Sequence, residues 1–148
     1  MSDDAPVPDS IPATGRGEIV VLNRDLFFGV RLGNALRGAG YGVTITPTTE
    51  QFAARMRSAP APVLGIVDLA AGVEWDLVRQ LTTDAAVPTP VLVFGPHRDA
   101  AGFRAAKEAG VRRVVANSEL HRDLLGLVAR YARSPNAPRE GKARDGGD

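Results

Sequence analysis

Asp68 is the residue of this sequence that is best placed to take part in chemistry. It comes near the end of the run Val63-Leu64-Gly65-Ile66-Val67-Asp68-Leu69, in which every other residue is apolar or glycine. A short continuous run of this kind predicts a strand buried on both faces of a parallel sheet. Sites in open parallel sheets are built at the carboxyl ends of the strands. The sequence therefore predicts a site around Asp68, whose chemistry depends on the groups that surround this carboxylate.

The other residue types that carry catalysis are absent or isolated. The chain has no cysteine, which excludes disulfides and thiolate catalysis, and its two histidines, His97 and His121, are too few for a histidine-rich metal site. No nucleophile and orienting group accompany His97, and Ser118 and Thr48 are better explained as helix caps. Gly38-Ala39-Gly40 follows a predicted helix, whereas a dinucleotide-binding fingerprint follows a strand. We therefore expect a protein that is not an enzyme.

Strands and helices alternate along the chain. Apolar runs predict strands at 18–22, 41–46, 63–69, 90–94 and 111–116. Helical spacing of apolar residues predicts helices at 23–38, from 48 to before Pro60, at 73–83, at 99–109 and from 117 onward. Because crossovers between parallel strands are right-handed, five such units wind into one parallel sheet with helices on both faces. The sequence thus predicts a single three-layer α/β domain.

We place this domain at residues 18–133. Residues 1–17 hold three prolines and little apolar periodicity, which predicts a flexible leader, and residues 134–148 are rich in proline, glycine and charge, which predicts a disordered polar tail. No apolar run approaches the roughly 20 residues that span a bilayer. The acidic start of the chain also lacks the features of a signal peptide. We therefore expect a cytoplasmic protein with no membrane partner.

Two helices carry specific packing predictions. Phe103 is expected to be the main anchor of the helix at 99–109. Asn117 or Ser118 is expected to cap the last helix, whose buried stripe is Leu120, Leu124, Leu127, Val128 and Tyr131. If Leu124 is buried in this way, Leu124→Ala should lower the free energy of unfolding by about 2–5 kcal/mol.

Positive charge is concentrated in the second half of the chain. The formal net charge is only +1, but residues 95–133 carry eight basic side chains against four acidic ones. Such a region is typical of a solvated surface, and it can also contact an acidic partner. Nucleic acid is an unlikely partner, because the aromatic residues Phe103 and Tyr131 are predicted to be buried and stacking needs exposed rings.

The ordered set of short segments resembles the receiver domain of bacterial response regulators. The segments are Ile19-Val20-Val21-Leu22, Gly38-Ala39-Gly40-Tyr41-Gly42-Val43, Ile66-Val67-Asp68-Leu69, Pro90-Val91-Leu92-Val93-Phe94 and Ala106-Lys107-Glu108-Ala109-Gly110-Val111. The resemblance covers nearly all of the predicted domain. It implies a flavodoxin-like sheet of strand order 2-1-3-4-5 and a role in two-component signalling.

The same resemblance implies that Asp68 is at the phosphoacceptor position, beside a magnesium ion held by an acidic pair after the first strand. Asn23 and Arg24 occupy the positions of that pair, and the acidic residue Asp25 comes one place too late. Magnesium prefers hard oxygen ligands and offsets the charge of a transferring phosphoryl group, so a cationic residue here disfavours the metal. For Arg24 two interpretations stay open: a guanidinium that replaces the metal beside Asp68, or a solvated side chain.

Three further family positions depart from the pattern. Gly95 occupies the position of the hydroxyl residue that contacts the phosphoryl group, Asn117 aligns with the lysine that pairs with the aspartate, and Gly72 replaces a proline. The chain therefore resembles a degenerate receiver, or pseudo-receiver, with no cofactor and no Mg²⁺ expected.

The interpretation that follows is a stand-alone module that binds protein partners in signalling. In receivers, the face of the fourth helix, fifth strand and last helix commonly makes dimers and partner contacts. Here that face carries Arg104, Lys107, Arg112 and Arg122. Two alternatives stay open: a functional phosphoacceptor of a phosphorelay that uses Asp68 in a remodelled pocket with Asp25, and a small-ligand or nucleotide site at the carboxyl ends of the strands.

Overall fold

The computed structural model describes residues 15–135. Five strands form one parallel sheet: β1 (Glu18–Leu22), β2 (Gly42–Thr46), β3 (Leu64–Asp68), β4 (Val91–Gly95) and β5 (Arg113–Ala116). The helices between and after them are α1 (Leu26–Gly38), α2 (Thr49–Met56), α3 (Trp75–Thr83), α4 (Ala100–Glu108), α5 (Asn117–Arg122) and α6 (Leu124–Tyr131). A 3₁₀ turn at Leu69–Ala71 follows β3. The leader and tail predicted from the sequence lie largely outside the described residues.

The strand order is β2-β1-β3-β4-β5, with every neighbouring pair parallel. This confirms the predicted flavodoxin-like fold and places β3, with Asp68 at its carboxyl end, in the centre of the sheet. Fully apolar strands can take this central position because helices cover both faces. None of the helices in residues 15–135 is long and apolar enough to cross a membrane.

Two hydrophobic clusters hold the three layers together. One lies between the sheet and α1, α5 and α6, and includes Leu32, Leu36, Leu120 and Val128. The other lies between the opposite face and α2, α3 and α4, and includes Phe52, Met56, Leu81 and Ala106. Alternate residues of β1 enter opposite clusters, as the two-residue period of a strand requires.

The helix after β1 begins three residues later than the sequence analysis predicted. Asp25 has an extended backbone, and its side chain accepts a hydrogen bond from the Phe28 N–H, so it is the N-cap of α1. Asn23 and Arg24 therefore belong to the loop at the strand end. The cap prediction for Thr48 is confirmed, because its hydroxyl accepts a bond from the Gln51 N–H.

Two packing predictions were wrong. The small residues Ala106 and Ala109 of the α4 region are buried, whereas Phe103 is only partly buried. The predicted last helix is two helices that meet at Asp123, whose dihedral angles (φ −140°, ψ 43°) leave the helical region. Aspartate has low helix propensity, and the break turns Leu124 to a half-buried position while Leu127 and Val128 stay in the core. The helix cap is Ala116, not Asn117 or Ser118, and no side chain caps it.

Candidate functional site

Asp68 is almost completely buried, with 9% of its surface exposed. Both of its carboxylate oxygens accept hydrogen bonds. Oδ1 accepts from the Ala70 N–H at 2.9 Å, and Oδ2 accepts from the Asn23 side-chain amide at 2.8 Å. The first of these bonds caps the 3₁₀ turn that follows β3. The carboxylate thus joins the ends of β1 and β3 and starts the next loop.

Asn23 is held by its own set of hydrogen bonds. Its Oδ1 accepts from the Asp25 N–H at 3.1 Å, and its backbone N–H donates to the Thr46 carbonyl at 3.0 Å. An amide group has one oxygen and one nitrogen, so the bond from Asp25 turns the nitrogen of Asn23 toward Asp68. Asn23, which is 4% exposed, is therefore a donor to Asp68.

The surroundings of Asp68 raise its pKa above the ordinary value of 3.8. Burial is the largest cause, because removal from water disfavours the charged form. The hydrogen bonds from Ala70 and Asn23 lower the pKa in part, and the negative charge of Asp25 raises it slightly. Among the causes of the shift there is no positive side chain. Asp68 is a buried carboxyl stabilised by two neutral donors.

Arg24 does not replace a metal beside Asp68. Its side chain is exposed, and within residues 15–135 it forms no ion pair or hydrogen bond with Asp68. The interpretation of Arg24 as a built-in cation is therefore wrong, and the solvated arginine is correct. The physical reason is the later start of α1, which leaves Arg24 in an exposed turn between Asn23 and the cap residue Asp25.

Leu69 fills the space beside Gly95, the position that the sequence analysis aligned with a phosphate-binding hydroxyl residue. A Cβ atom built at Gly95 would lie 2.8 Å from the Cβ and 2.9 Å from the Cγ of Leu69. Real Cβ atoms essentially never approach other heavy atoms this closely. A serine or threonine at position 95 would therefore clash with Leu69 unless the loop after β3 moved.

The two remaining departures from the family pattern also change the site. Gly72 has φ +73°, a left-handed conformation that proline cannot adopt because its ring fixes φ near −65°. Asn117 is the first residue of α5 and forms no hydrogen bond with Asp68 in the described part of the chain. The structure thus brings Asn23 and Asp68 into contact, places Asp25 nearby as a helix cap, and leaves Arg24 and Asn117 apart from the carboxylate.

The donor atoms around Asp68 do not suit a magnesium ion. Magnesium requires several oxygen ligands in near-octahedral geometry. Here the nitrogen of Asn23 faces the carboxylate, and the Asp25 carboxylate accepts from its own helix. Between residues 15 and 135, no group of three or more His, Cys, Asp and Glu residues could hold a metal ion.

The four basic residues of the predicted partner face are all exposed: Arg104 and Lys107 on α4, Arg112 before β5, and Arg122 at the end of α5. Both histidines are exposed as well. His97 lies in the loop after β4, and His121 packs edge-on against Phe28 with 5.5 Å between ring centroids.

Sequence analysis missed an apolar surface at the start of α1. Leu26 and Phe27 are each 81% exposed and Val30 is 59% exposed. Beside them is a groove of about 390 Å³ whose walls include Ile45 and Pro47. The capping pattern of Asp25 could have revealed this surface, because it sets the phase of the helix and turns Leu26 and Phe27 away from the core.

Comparison with solved structures finds receiver domains. One is the signal receiver domain of a signal transduction histidine kinase from Syntrophus aciditrophicus, with 20% identity, TM-score 0.67, and coverage of 89% of this chain and 96% of that one. Another is the chemotaxis response regulator CheY4 of Vibrio cholerae, with 16% identity, TM-score 0.66, and coverage of 77% and 97%. A third is the beryllofluoride-activated NtrC4 receiver domain dimer, with 13% identity, TM-score 0.60, and coverage of 77% and 95%.

At these identities the likeness shows a shared fold. No family model matches the sequence, and no match to a curated protein was found.

Proposed function

We propose that this chain, which has the receiver-domain fold, is a non-catalytic pseudo-receiver that acts in cytoplasmic signal transduction by binding protein partners. It does so without Mg²⁺-dependent phosphorylation of Asp68. The receiver fold supports the signalling role by analogy, because its solved relatives are response regulators and a receiver domain of a histidine kinase.

The contact between Leu69 and Gly95 is the observation that carries the proposal. Phosphoryl transfer to a carboxylate needs room for the phosphoryl group and positive charge to stabilise it. Leu69 fills the space at Gly95, and the two hydrogen-bond donors that reach Asp68 are uncharged. A dianionic phosphoryl group on Asp68 would therefore be both crowded and unneutralised.

The output of such a module passes through its surface. The exposed positive side chains Arg104 and Lys107 on α4 give a surface that suits an acidic partner. Opposite charges at the rim of an interface mainly raise the rate of association and select the partner. One structural neighbour is a receiver dimer, so a second copy of the chain is one form that the partner can take.

A titration with Mg²⁺ and beryllofluoride tests whether Asp68 is a phosphoacceptor. We expect no saturable amide shift of Asp68, Leu69 or Ala70 up to about 10 mM, a range that would detect even weak binding. Asp68→Asn is the control, because it removes the acceptor and keeps the side-chain shape. Saturation in the wild type that Asp68→Asn abolishes would establish the functional phosphoacceptor instead.

A matched pair of charge reversals tests the partner face. Arg104→Glu changes α4, and Arg79→Glu makes the same change at an exposed position of α3, a helix that is not part of that face. A partner identified by mass spectrometry after capture from native lysate should be lost with Arg104→Glu and retained with Arg79→Glu. Equal retention by both variants would show that the partner binds elsewhere.

A further inference from the structure

A second cavity lies at the edge of the sheet opposite Asp68. It has a volume of about 390 Å³ and is formed by the loops that precede β4 and β5, the end of α3 and the end of α6. Thr89 and Arg112 line it from the two loops, and Arg130 and Tyr131 line it from α6. Because Asp68 is at the carboxyl end of β3, this cavity and the degenerate site are separated by the length of the strands.

The cavity is lined by positive charge. Arg112, Arg130 and Arg133 contribute to its walls, and of the described residues no aspartate or glutamate does. No carboxylate within residues 15–135 lies at ion-pair distance from Arg112 or Arg130. Arg133 donates hydrogen bonds to the carbonyls of Ala61 and Pro62, which fixes its side chain at the cavity edge.

The pKa of Tyr131 reflects the positive charge at the wall of this cavity. Burial by itself would raise the pKa of its phenol, yet the pKa is lowered, because hydrogen bonds from Arg113 and Arg130 and the positive charges of both favour the phenolate. The Arg113 guanidinium donates to the Tyr131 hydroxyl at 3.0 Å. This bond also holds the tyrosine ring in place at the cavity wall.

The other residues that line the cavity include apolar side chains and hydroxyl groups that already donate hydrogen bonds within the protein. Leu81, Val87 and Pro88 form one side. The hydroxyl of Thr89 donates to the Pro62 carbonyl at 2.6 Å, and that of Thr82 donates to the Ala109 carbonyl at 2.5 Å. The guanidinium groups of Arg112 and Arg130 can therefore donate further hydrogen bonds into the cavity.

We propose that this cavity binds a small phosphorylated ligand of nucleotide size. Guanidinium groups bind phosphate oxygens through paired, charge-assisted hydrogen bonds, and Arg112 and Arg130 supply such groups from two separate elements. The volume falls within the range of pockets that hold whole small molecules, so it exceeds what a single phosphate needs. Val87, Pro88 and the Tyr131 ring, which line the cavity, give a planar base an apolar surface to pack on.

This ligand site involves neither Asp68 nor α4, so it can be tested separately from the proposed function, and it shares only Arg112 with the predicted partner face. It also differs from the nucleotide site considered in the sequence analysis, which was placed at the carboxyl ends of the strands.

Titration of the full-length chain with ADP and with pyrophosphate, followed by amide chemical shifts, tests the site. Adenosine is the uncharged control. We expect saturable shifts at Val87, Thr89, residues 110–112 and residues 130–133 with both phosphorylated compounds and none with adenosine. Arg112→Gln with Arg130→Gln should weaken ADP binding by about tenfold or more, because each charged hydrogen bond contributes at least that factor.

Two further variants make the test specific. Arg98→Gln with Arg104→Gln removes the same charge from exposed sites outside the cavity and should change the affinity by no more than about twofold. Arg112→Lys with Arg130→Lys keeps the charge, preserves the fold, and should still weaken binding several-fold, because lysine lacks the paired donors. Absence of saturation by about 5 mM ADP and pyrophosphate would overturn the proposal. Equal affinity of the two glutamine variants, or shifts confined to the loops around Asp68, would also overturn it.

Discussion

The sign of the change in the free energy of unfolding of Gly95→Ala tests whether Leu69 fills the space beside Gly95. Replacing a glycine by alanine at an unstrained position stabilises a protein by about 0.4–1 kcal/mol, because the unfolded chain loses freedom. At Gly95 the new Cβ would lie 2.8 Å from the Cβ of Leu69, whereas ordinary contacts begin at 3.4 Å. The loop after β3 would have to retreat by about 0.6 Å. Overpacking of this kind costs about 1–3 kcal/mol, so we expect a net loss in the free energy of unfolding of about 1–2 kcal/mol.

Urea denaturation at 25 °C measures this change, with the slope of the transition as a check that the unfolded state is unaltered. Gly38→Ala is the control, because a Cβ there meets nothing within 4 Å. In the Leu69→Ala background the contact with Cγ is removed and only the contact between the two Cβ atoms remains, so the cost of Gly95→Ala should fall by about 0.5–1 kcal/mol, which is the coupling energy between the two positions. A neutral or stabilising effect of Gly95→Ala in the wild type would refute the claim that Leu69 closes the site.

Three other predictions concern Asp68 and α6. Because the pKa of Asp68 is raised in the folded protein, the carboxyl group stabilises the fold fully below its unfolded pKa of 3.8, and this stabilisation is lost as the pH rises through the folded pKa. In urea unfolding, the free energy of unfolding of Asp68→Asn relative to that of the wild type should therefore rise with pH over that window. Asn23→Ala should lower the free energy of unfolding by about 1–3 kcal/mol in urea denaturation, whereas Arg24→Ala should change it by less than about 0.5 kcal/mol. Equal losses for the two variants would indicate that Arg24 does pair with Asp68. Leu127→Ala should lower the free energy of unfolding by about 2–5 kcal/mol and Leu125→Ala, 48% exposed, by under about 0.5 kcal/mol; a reversed order in thermal or urea melts would mean a different packing of α6.

Features set by local sequence could be predicted. The apolar runs that form β1, β3 and β4 are buried because a central parallel strand has no face exposed to solvent. A run of apolar residues therefore predicts such a buried strand. The cap at Thr48 was predictable for the same reason, since the groups that form it are three residues apart.

Features that depend on contacts between distant residues, or on competing local choices, could not be predicted. Gly95 was identified as a departure from the family pattern, but only the fold shows that Leu69 fills the space. The contact joins the turn after one strand to the end of another, and it depends on the left-handed Gly72 that shapes this turn. In the same way, the sequence placed Asn23 at one position of the family's acidic pair, and only the fold shows that the Asp25 N–H binds its oxygen and turns its nitrogen to Asp68.

The helix boundaries show how competing local choices were resolved. Asp25 and Asp123 were both placed inside or beside predicted helices, and each interrupts or begins a helix in the structure. Aspartate is a weak residue in helix interiors and a strong one at N-terminal caps. A choice between the two roles changes which side chains face the core, which is why Leu124 was predicted to be fully buried and the exposed Leu26 and Phe27 were not predicted.

The contact between Leu69 and Gly95 also sets the order in which a hydroxyl residue at position 95 and an acidic residue at position 23 could be introduced into this chain. A hydroxyl residue introduced first at position 95 would meet Leu69 and destabilise the domain before any function appeared. An acidic residue introduced first at position 23 would place a second negative charge beside a buried carboxylate that lacks a counter-charge. Only a route that first shortens Leu69 and lets the loop after β3 relax opens space at position 95, so Gly95→Ser made alone should destabilise the domain.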